Sequence, residues 1–402
     1  MFRYLNIDNC FLSIQFLFMG LIVFLSASGW SFPISSLLVL NTIIYVFIDG
    51  HFWDLSYIIC YSNIAKIFIL IVLLDAFSYL YLLSYDFPNA FLLKDANHYT
   101  LFTFSIVWFC NFLFSSIYVV HKTNYKYLFI LTAIFFICAI YSNYRAYSYN
   151  RQYLEIVTQH HYYYFLLVCI PLLFIKANKL FRYLILIIVL FASFYSFKRT
   201  GVIVVAAVSF LCFLFDVSRS IKNVLLGFFL FVVALILMSQ YVDNSTEAGR
   251  TMIRMEKIYD DRGSGRGDNI LEVIELVAKS PVEKQLLGHG FMSWSVEKKR
   301  MIDVEWASML YYYGIFGLIL YALFYLALFD RVTYIHSYCH FDNNNLLCAY
   351  LSCMIIFMIY SFAGELFSYQ YLSSLLFVFL GTVEGYLVSN TKLIIRVRED
   401  NY

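Results

Sequence analysis

A chain of 402 residues that is 62% hydrophobic, 21% aromatic and only 13% charged lies far from the roughly 25% charged composition of soluble domains. Water is excluded as its main solvent. A formal net charge of +2, without any Lys/Arg tract, also excludes charge-driven binding of nucleic acid.

Apolar runs of about 15 to 22 residues recur along the chain, of the length needed to cross a bilayer core. In chain order they predict spans over residues 11–29, 33–49, 64–84, 101–120, 127–142, 162–176, 181–197, 201–215, 223–242, 307–329, 346–363 and 371–389. Residues 11–25 followed by Ser26, Ala27 and Ser28 weakly resemble a signal peptide, and the stretch is read as an uncleaved first span. With the N-terminus inside, the short inner segments carry twelve Lys and Arg residues and the short outer ones five. That asymmetry satisfies the positive-inside rule and places both termini in the cytoplasm. The nine cysteines then fall in spans or on the inner side, which leaves no disulfide framework outside. Tyrosines and phenylalanines at span ends, such as Tyr162 to Tyr164 and Tyr311 to Tyr313, read as an interfacial aromatic belt.

The predicted fold class is an all-α, polytopic transmembrane bundle of about twelve spans. It divides into spans one to nine (residues 1–242), a large outer loop (243–306), and spans ten to twelve with a cytoplasmic C-terminus (307–402). Residues 243–305 hold 22 of the 54 charged residues, 28 basic and 26 acidic, so the loop is a folded or ligand-binding element. Within it, Asp268 is placed to cap an amphipathic helix whose Ile270, Ile274, Val277 and Ala278 share a face, and Pro281 ends that helix. Such a helix lies against the membrane or the bundle.

The turn between spans seven and eight carries Lys198 and Arg199 outside, against the charge bias. Either the pair snorkels to lipid phosphates, or it grips a diphosphate through an ammonium and a bidentate guanidinium. If the substrate is a lipid carrying a sugar through a diphosphate, Lys198, Arg199 and Arg266 can stabilise the departing group electrostatically. Asp303 or Glu305 can then take the proton of the attacking hydroxyl. The spacing of these two acids is also that of a metal-binding pair, but the scheme needs no metal and no cofactor. Asp75, an ionisable group within a span, is a further candidate, as a functional carboxylate or as a buried structural hydrogen bond. His336, Cys339 and His340 have helical ligand spacing but read as a polar inner loop. No Walker, GxSxG or HExxH pattern occurs.

Ser196 with Arg199 and Gly201, then Arg266, a helix, Pro281, Leu287-Gly288-His289-Gly290 and Gly314-Ile315-Phe316-Gly317 form, in that order, a pattern that resembles the O-antigen polymerase and O-antigen ligase superfamily. The motifs span about residues 180 to 330, and the topology spans the whole chain. Ligases resemble one another in a histidine placed nine residues or so before the glycine pair, where this chain has Asp303 and Val304. The resemblance therefore implies a polymerase. It would transfer a growing glycan from undecaprenyl diphosphate to the next lipid-linked repeat unit, at the periplasmic face of the bacterial inner membrane. Arg254, followed by Gly265, also resembles an arginine motif of polymerase loops. On this reading Arg266, Asp303 and Glu305 are catalytic, and Lys198, Arg199, Arg254 and His289 bind the diphosphate. Implied partners are the lipid-linked oligosaccharide, the bilayer and a chain-length regulator. The alternatives are a ligase acting on lipid A core, or a flippase; a flippase calls for repeated halves, and the sequence shows no convincing repeat.

Overall fold

The computed structural model describes residues 7–25, 31–48, 51–84, 104–121, 126–153, 162–195, 199–217, 266–290, 294, 302, 304–338, 344–363 and 370–399. All regular structure among these residues is α-helical, and no strand occurs there. A helix lies over every predicted span except 223–242, which falls outside the described residues. Three stretches are long and apolar enough to cross a membrane, Lys126–Arg145, Glu305–His336 and Asn345–Phe362, and the bent pair Ile34–Val46 and His51–Tyr61 makes a fourth if it is one span. Shorter apolar helices account for Ile7–Ile22, Ser105–His121, Tyr164–Phe174, Thr200–Phe215 and Ser373–Ser389.

The chain forms two compact units. The first, residues 1–131, 270–330 and 365–402, contains α1 (Ile7–Leu25), α2 (Ser31–Val46), α3 (His51–Tyr61), α4 (Asn63–Ser84) and α5 (Phe104–His121). Helix α3 occupies the segment between the second and third predicted spans. Ser62 starts α4 by accepting the Ala65 N–H at 3.1 Å, an N-cap that satisfies one of the orphan donors of the first turn. Helix α5 is the centre of the unit, packed by α2, α3, α4 and the long C-terminal helix Gln370–Glu399. The closest of these contacts is backbone to backbone. A Cβ on Gly381 would stand 2.1 Å from the Phe112 carbonyl oxygen, and one on Gly385 would stand 2.3 Å from that of Ser116. Two glycines four residues apart thus let α5 and its partner touch along their main chains, as small residues do where membrane helices meet.

Polar groups line α5 at three levels. Near its middle Gln15 donates to Asn111 at 2.9 Å and to Thr42 at 3.3 Å, while Asn41 donates to Gln15 at 2.7 Å. Each of these contacts pairs a buried polar group that an apolar surrounding would otherwise leave at a cost, although Asn111 Nδ2 has no hydrogen-bond partner among the described residues.

The second unit, residues 132–269 and 331–364, holds most of α6 (Lys126–Tyr153), with α7 (Tyr162–Phe174), α8 (Lys179–Tyr195) and α9 (Arg199–Val217). From Phe165 to Phe174 every residue of α7 is buried, the pattern of a helix that is apolar all round and sits inside. Asn178 caps α8 by accepting the Phe181 N–H at 2.8 Å. On the outer surface, Ile130, Ile134, Ile137 and Tyr141 of α6 and Leu180, Leu184, Ile187 and Phe191 of α8 are exposed. Such stripes at three- and four-residue spacing suit a lipid solvent and would be an aggregation liability in water.

Candidate active site

The polar loop contributes two helices, α10 (Arg266–Lys279) and α11 (Val282–Leu287), and leads to α12 (Glu305–Tyr338). Pro281 separates α10 from α11, as the sequence predicts, but Asp268 lies in the first turn of α10 and not at its cap. Ser280 ties the turn together. Its hydroxyl donates to the Leu276 carbonyl at 2.7 Å and lies 2.9 Å from His289 Nε2, and Gln285 donates to the Ser280 carbonyl at 2.8 Å. The buried stripe of α10 is Val273 and Val277, whereas Ile274 and Ala278 of the predicted face are exposed. Val277 belongs to the predicted face and is buried, whereas Val273 lies outside that face; the two pairs are apolar and one position apart, so periodicity alone did not choose between them.

The two glycine motifs dock onto each other. Helix α12 is broken at Gly314, which has φ 65° and ψ −159°, a backbone region essentially restricted to glycine. At such a break the carbonyls of the preceding turn lose their partners in the next one. Here the N–H groups of His289 and Gly290 take the carbonyls of Tyr311 and Tyr312 at 2.8 and 3.0 Å. The approach is close enough that a Cβ on Gly314 would lie 2.4 Å from the Leu286 carbonyl oxygen, and one on Gly288 would lie 2.2 Å from that of Tyr312. The His289 ring stacks on Tyr311 with centroids 4.4 Å apart, and Trp294 meets the same tyrosine edge-on at 5.1 Å.

Beside this junction lie two buried carboxyl groups. Glu305, the first residue of α12, is 1% exposed, and Asp75 of α4 is 6% exposed. Asp75 accepts the hydroxyls of Ser105 at 2.5 Å and Tyr313 at 2.7 Å, one at each oxygen. Tyr313, next to the break, also interacts electrostatically with Glu305 and Tyr312. One unit therefore gathers Glu305, Tyr313, Asp75, Ser105 and His289. Among the described residues no group of three or more His, Cys, Asp or Glu is arranged to hold a metal ion.

The other predicted residues are placed differently. Arg199 opens α9 and Arg266 opens α10, both within the second unit. Arg266 is half-buried, and its buried Nε has no hydrogen-bond partner among the described residues. Lys198, Arg254 and Asp303 lie outside the described residues, as do Cys339 and His340. His336 is exposed near the end of α12.

A second polar cluster, which the sequence reading did not single out, closes the other end of α5. His121 Nε2 and Asp54 Oδ2 are 2.5 Å apart, His51 Nε2 and Asp8 Oδ1 are 3.7 Å apart, and the two histidine rings meet edge to face at 4.1 Å. Tyr45 donates to Asp8 at 3.2 Å, and its carbonyl lies 2.8 Å from His51 Nδ1. Sixteen residues separate Ser105 from His121, so at 1.5 Å per residue the two clusters stand about 24 Å apart along α5.

Residues 184–322 match a family model described as O-antigen ligase. The match covers less than half of the chain and includes the polar loop, both glycine motifs and the positions of Arg199, Arg254, Arg266, His289, Asp303 and Glu305. It supports the O-antigen polymerase and ligase superfamily, a group of glycan-transferring enzymes, without separating polymerase from ligase. No curated protein matches the chain.

Proposed function

We propose that the chain is a repeat-unit polymerase that moves a glycan from undecaprenyl diphosphate to the next lipid-linked repeat unit at the periplasmic face of the inner membrane. The observation that carries this reading is the family match over 184–322 combined with an acid, Asp303, where ligases resemble one another in a histidine. In this scheme about twelve spans hold residues 243–306 outside the cytoplasm, with both termini inside. Arg266, whose buried Nε is unpaired among the described residues, joins Lys198, Arg199, Arg254 and His289 around the donor diphosphate, where charge develops as the glycosidic C–O bond breaks. Glu305 or Asp303 removes the proton of the acceptor hydroxyl as its oxygen bonds to the anomeric carbon. The diphosphate is already a good leaving group, so the scheme uses no cofactor.

A ligase that joins the glycan to lipid A core is the second reading, favoured by the description of the matching family. Deleting the gene and resolving the surface lipopolysaccharide by size separates the two. Loss of a polymerase leaves core capped by a single repeat unit, whereas loss of a ligase strands long polymer on the carrier lipid. A normal ladder overturns both. For the residues, Arg266→Ala and Glu305→Gln should abolish polymer while the protein still reaches the membrane; normal chain lengths in both would remove these side chains from the chemistry.

A further inference from the structure

Helix α10 has three faces. Val273 and Val277 turn into the protein, at 0% and 6% exposure. Leu271, Ile274 and Ala278 are exposed and, at 3.6 residues per turn, fall within about 60° of one another. Glu272, Glu275 and Lys279 occupy the flank beyond them, where Glu275 and Lys279 form an exposed i, i+4 ion pair. A loop helix bordered only by water has no use for the middle face: Leu271 is 66% exposed and Ile274 50%. The charged and apolar residues are not interspersed, as on an ordinary wet surface, but divided into adjacent sectors.

The apolar sector does not end with α10. Val282 of α11 is 67% exposed and Leu286 37%, and the Leu286 carbonyl lies against Gly314 of α12. From that junction the exposed apolar surface continues along α12 through Ile315, Phe316 and Ile319. Helix α12 is one of those long and apolar enough to cross a membrane, so its exposed Ile315, Phe316 and Ile319 make a lipid-facing strip. The exposed stripe of the loop helices runs directly into it.

We propose that α10 and α11 lie in the bilayer interface, with Leu271, Ile274, Ala278 and Val282 among the acyl chains and the Glu272, Glu275 and Lys279 flank in water. An interfacial helix of this kind sinks its apolar side roughly 5–10 Å into the boundary between headgroups and acyl chains. The partner is the lipid surface itself. This inference does not depend on which glycan is transferred, and its test does not read activity.

The full-length protein is reconstituted into phosphatidylethanolamine and phosphatidylglycerol vesicles, with its own reactive cysteines replaced by serine. A nitroxide is attached to Leu271→Cys, Ile274→Cys or Ala278→Cys, and for comparison to Glu272→Cys or Lys279→Cys. Collisions with oxygen, which concentrates in lipid, are compared with collisions with a water-soluble nickel chelate. The oxygen-to-nickel ratio should be severalfold higher at the first three sites than at the other two. Equal ratios would show that the face is wet and overturn the proposal. Spin–spin broadening, with both collision partners excluded, would assign the face to a second copy of the chain and overturn it equally. Leu271, Ile274, Ala278 and Lys279 are exposed and Glu272 is half-buried, so none of the substitutions removes a side chain from the core of the unit.

Discussion

Gly314→Ala tests the junction between the polar loop and α12. The added Cβ meets the Leu286 carbonyl oxygen at 2.4 Å, its carbon at 2.5 Å and the Gly288 nitrogen at 2.6 Å. All three are backbone atoms and cannot swing aside as a flexible side chain would. Holding alanine at φ 65° and ψ −159° costs about 1–3 kcal/mol. Separating the loop to relieve the contact forfeits the His289 and Gly290 bonds to Tyr311 and Tyr312, each worth about 1 kcal/mol. Either route costs about 1–3 kcal/mol, which shifts the loop toward its open state by roughly one to two orders of magnitude. Hydrogen exchange on the detergent-solubilised protein reads this directly, because the amides of His289 and Gly290 should lose protection by one or more orders of magnitude while those of α5 keep theirs. Unchanged protection at His289 and Gly290, together with an unchanged melting midpoint, would refute the docking.

Tyr313→Phe leaves the Asp75 carboxyl with Ser105 as its remaining hydroxyl donor. It should cost about 1–3 kcal/mol, and a double-mutant cycle with Asp75→Asn should be non-additive by more than about 0.5 kcal/mol; additive melting shifts would sink the pairing. Gly381→Leu, which drives a side chain into the Phe112 and Ser115 contact, should prevent accumulation in the membrane, and Gly381→Ala should lower it; normal levels of both would show that the helices do not touch there. Lys279 holds the Glu275 carboxyl below its ordinary pKa through a hydrogen bond and its charge. Any stability from this pair is therefore present above the unfolded-state pKa and lost as pH falls through the folded value. Because both side chains are exposed, Glu275→Gln should leave the melting midpoint at neutral pH unchanged, and a clear drop would mean that the pair carries more than a solvated contact.

The positions of the helices were legible because a bilayer sets the length of an apolar run, and eleven of the predicted spans fall on helices among the described residues. The Gly381 and Gly385 contact was missed, although a four-residue spacing of glycines in an apolar helix is the signal that could have found it. The sequence flagged Asp75 as an ionisable group within a span. Its partners could not be found there, because Ser105 lies 30 residues away and Tyr313 lies 238 away, with no local pattern to connect them. The docking of Gly288 to Gly290 on Gly314 was invisible for a related reason. It uses main-chain groups of residues 289, 290, 311 and 312, and backbone donors leave no mark in side-chain identity. The histidine and aspartate cluster at Asp8, His51, Asp54 and His121 escaped notice because its members come from three helices.

The break in α12 bears on where Glu305, the base of the proposed reaction, is held. In an unbroken helix the direction of Glu305 would follow from that of the whole element, and thus from packing many turns away. A glycine with non-helical torsions at position 314 removes that constraint, and residues 305–313 become a short arm whose aim is fixed locally. The contacts that hold it include the backbone bonds from His289 and Gly290 to Tyr311 and Tyr312, the Tyr313 hydroxyl bond to Asp75, and the Trp306 ring against Tyr321 and Tyr325 beyond the break. The first ties the arm to the polar loop, and the second ties it to α4. If Glu305 is the base, as proposed above, its reach to an acceptor hydroxyl tolerates displacements of well under 1 Å, and both ties bear on that reach. Asp75 belongs to that support although it lies outside the region matched to the family. On the proposed reading, loosening either tie should therefore lower the rate of glycan transfer before it lowers the amount of protein in the membrane; equal losses of both would refute a positioning role.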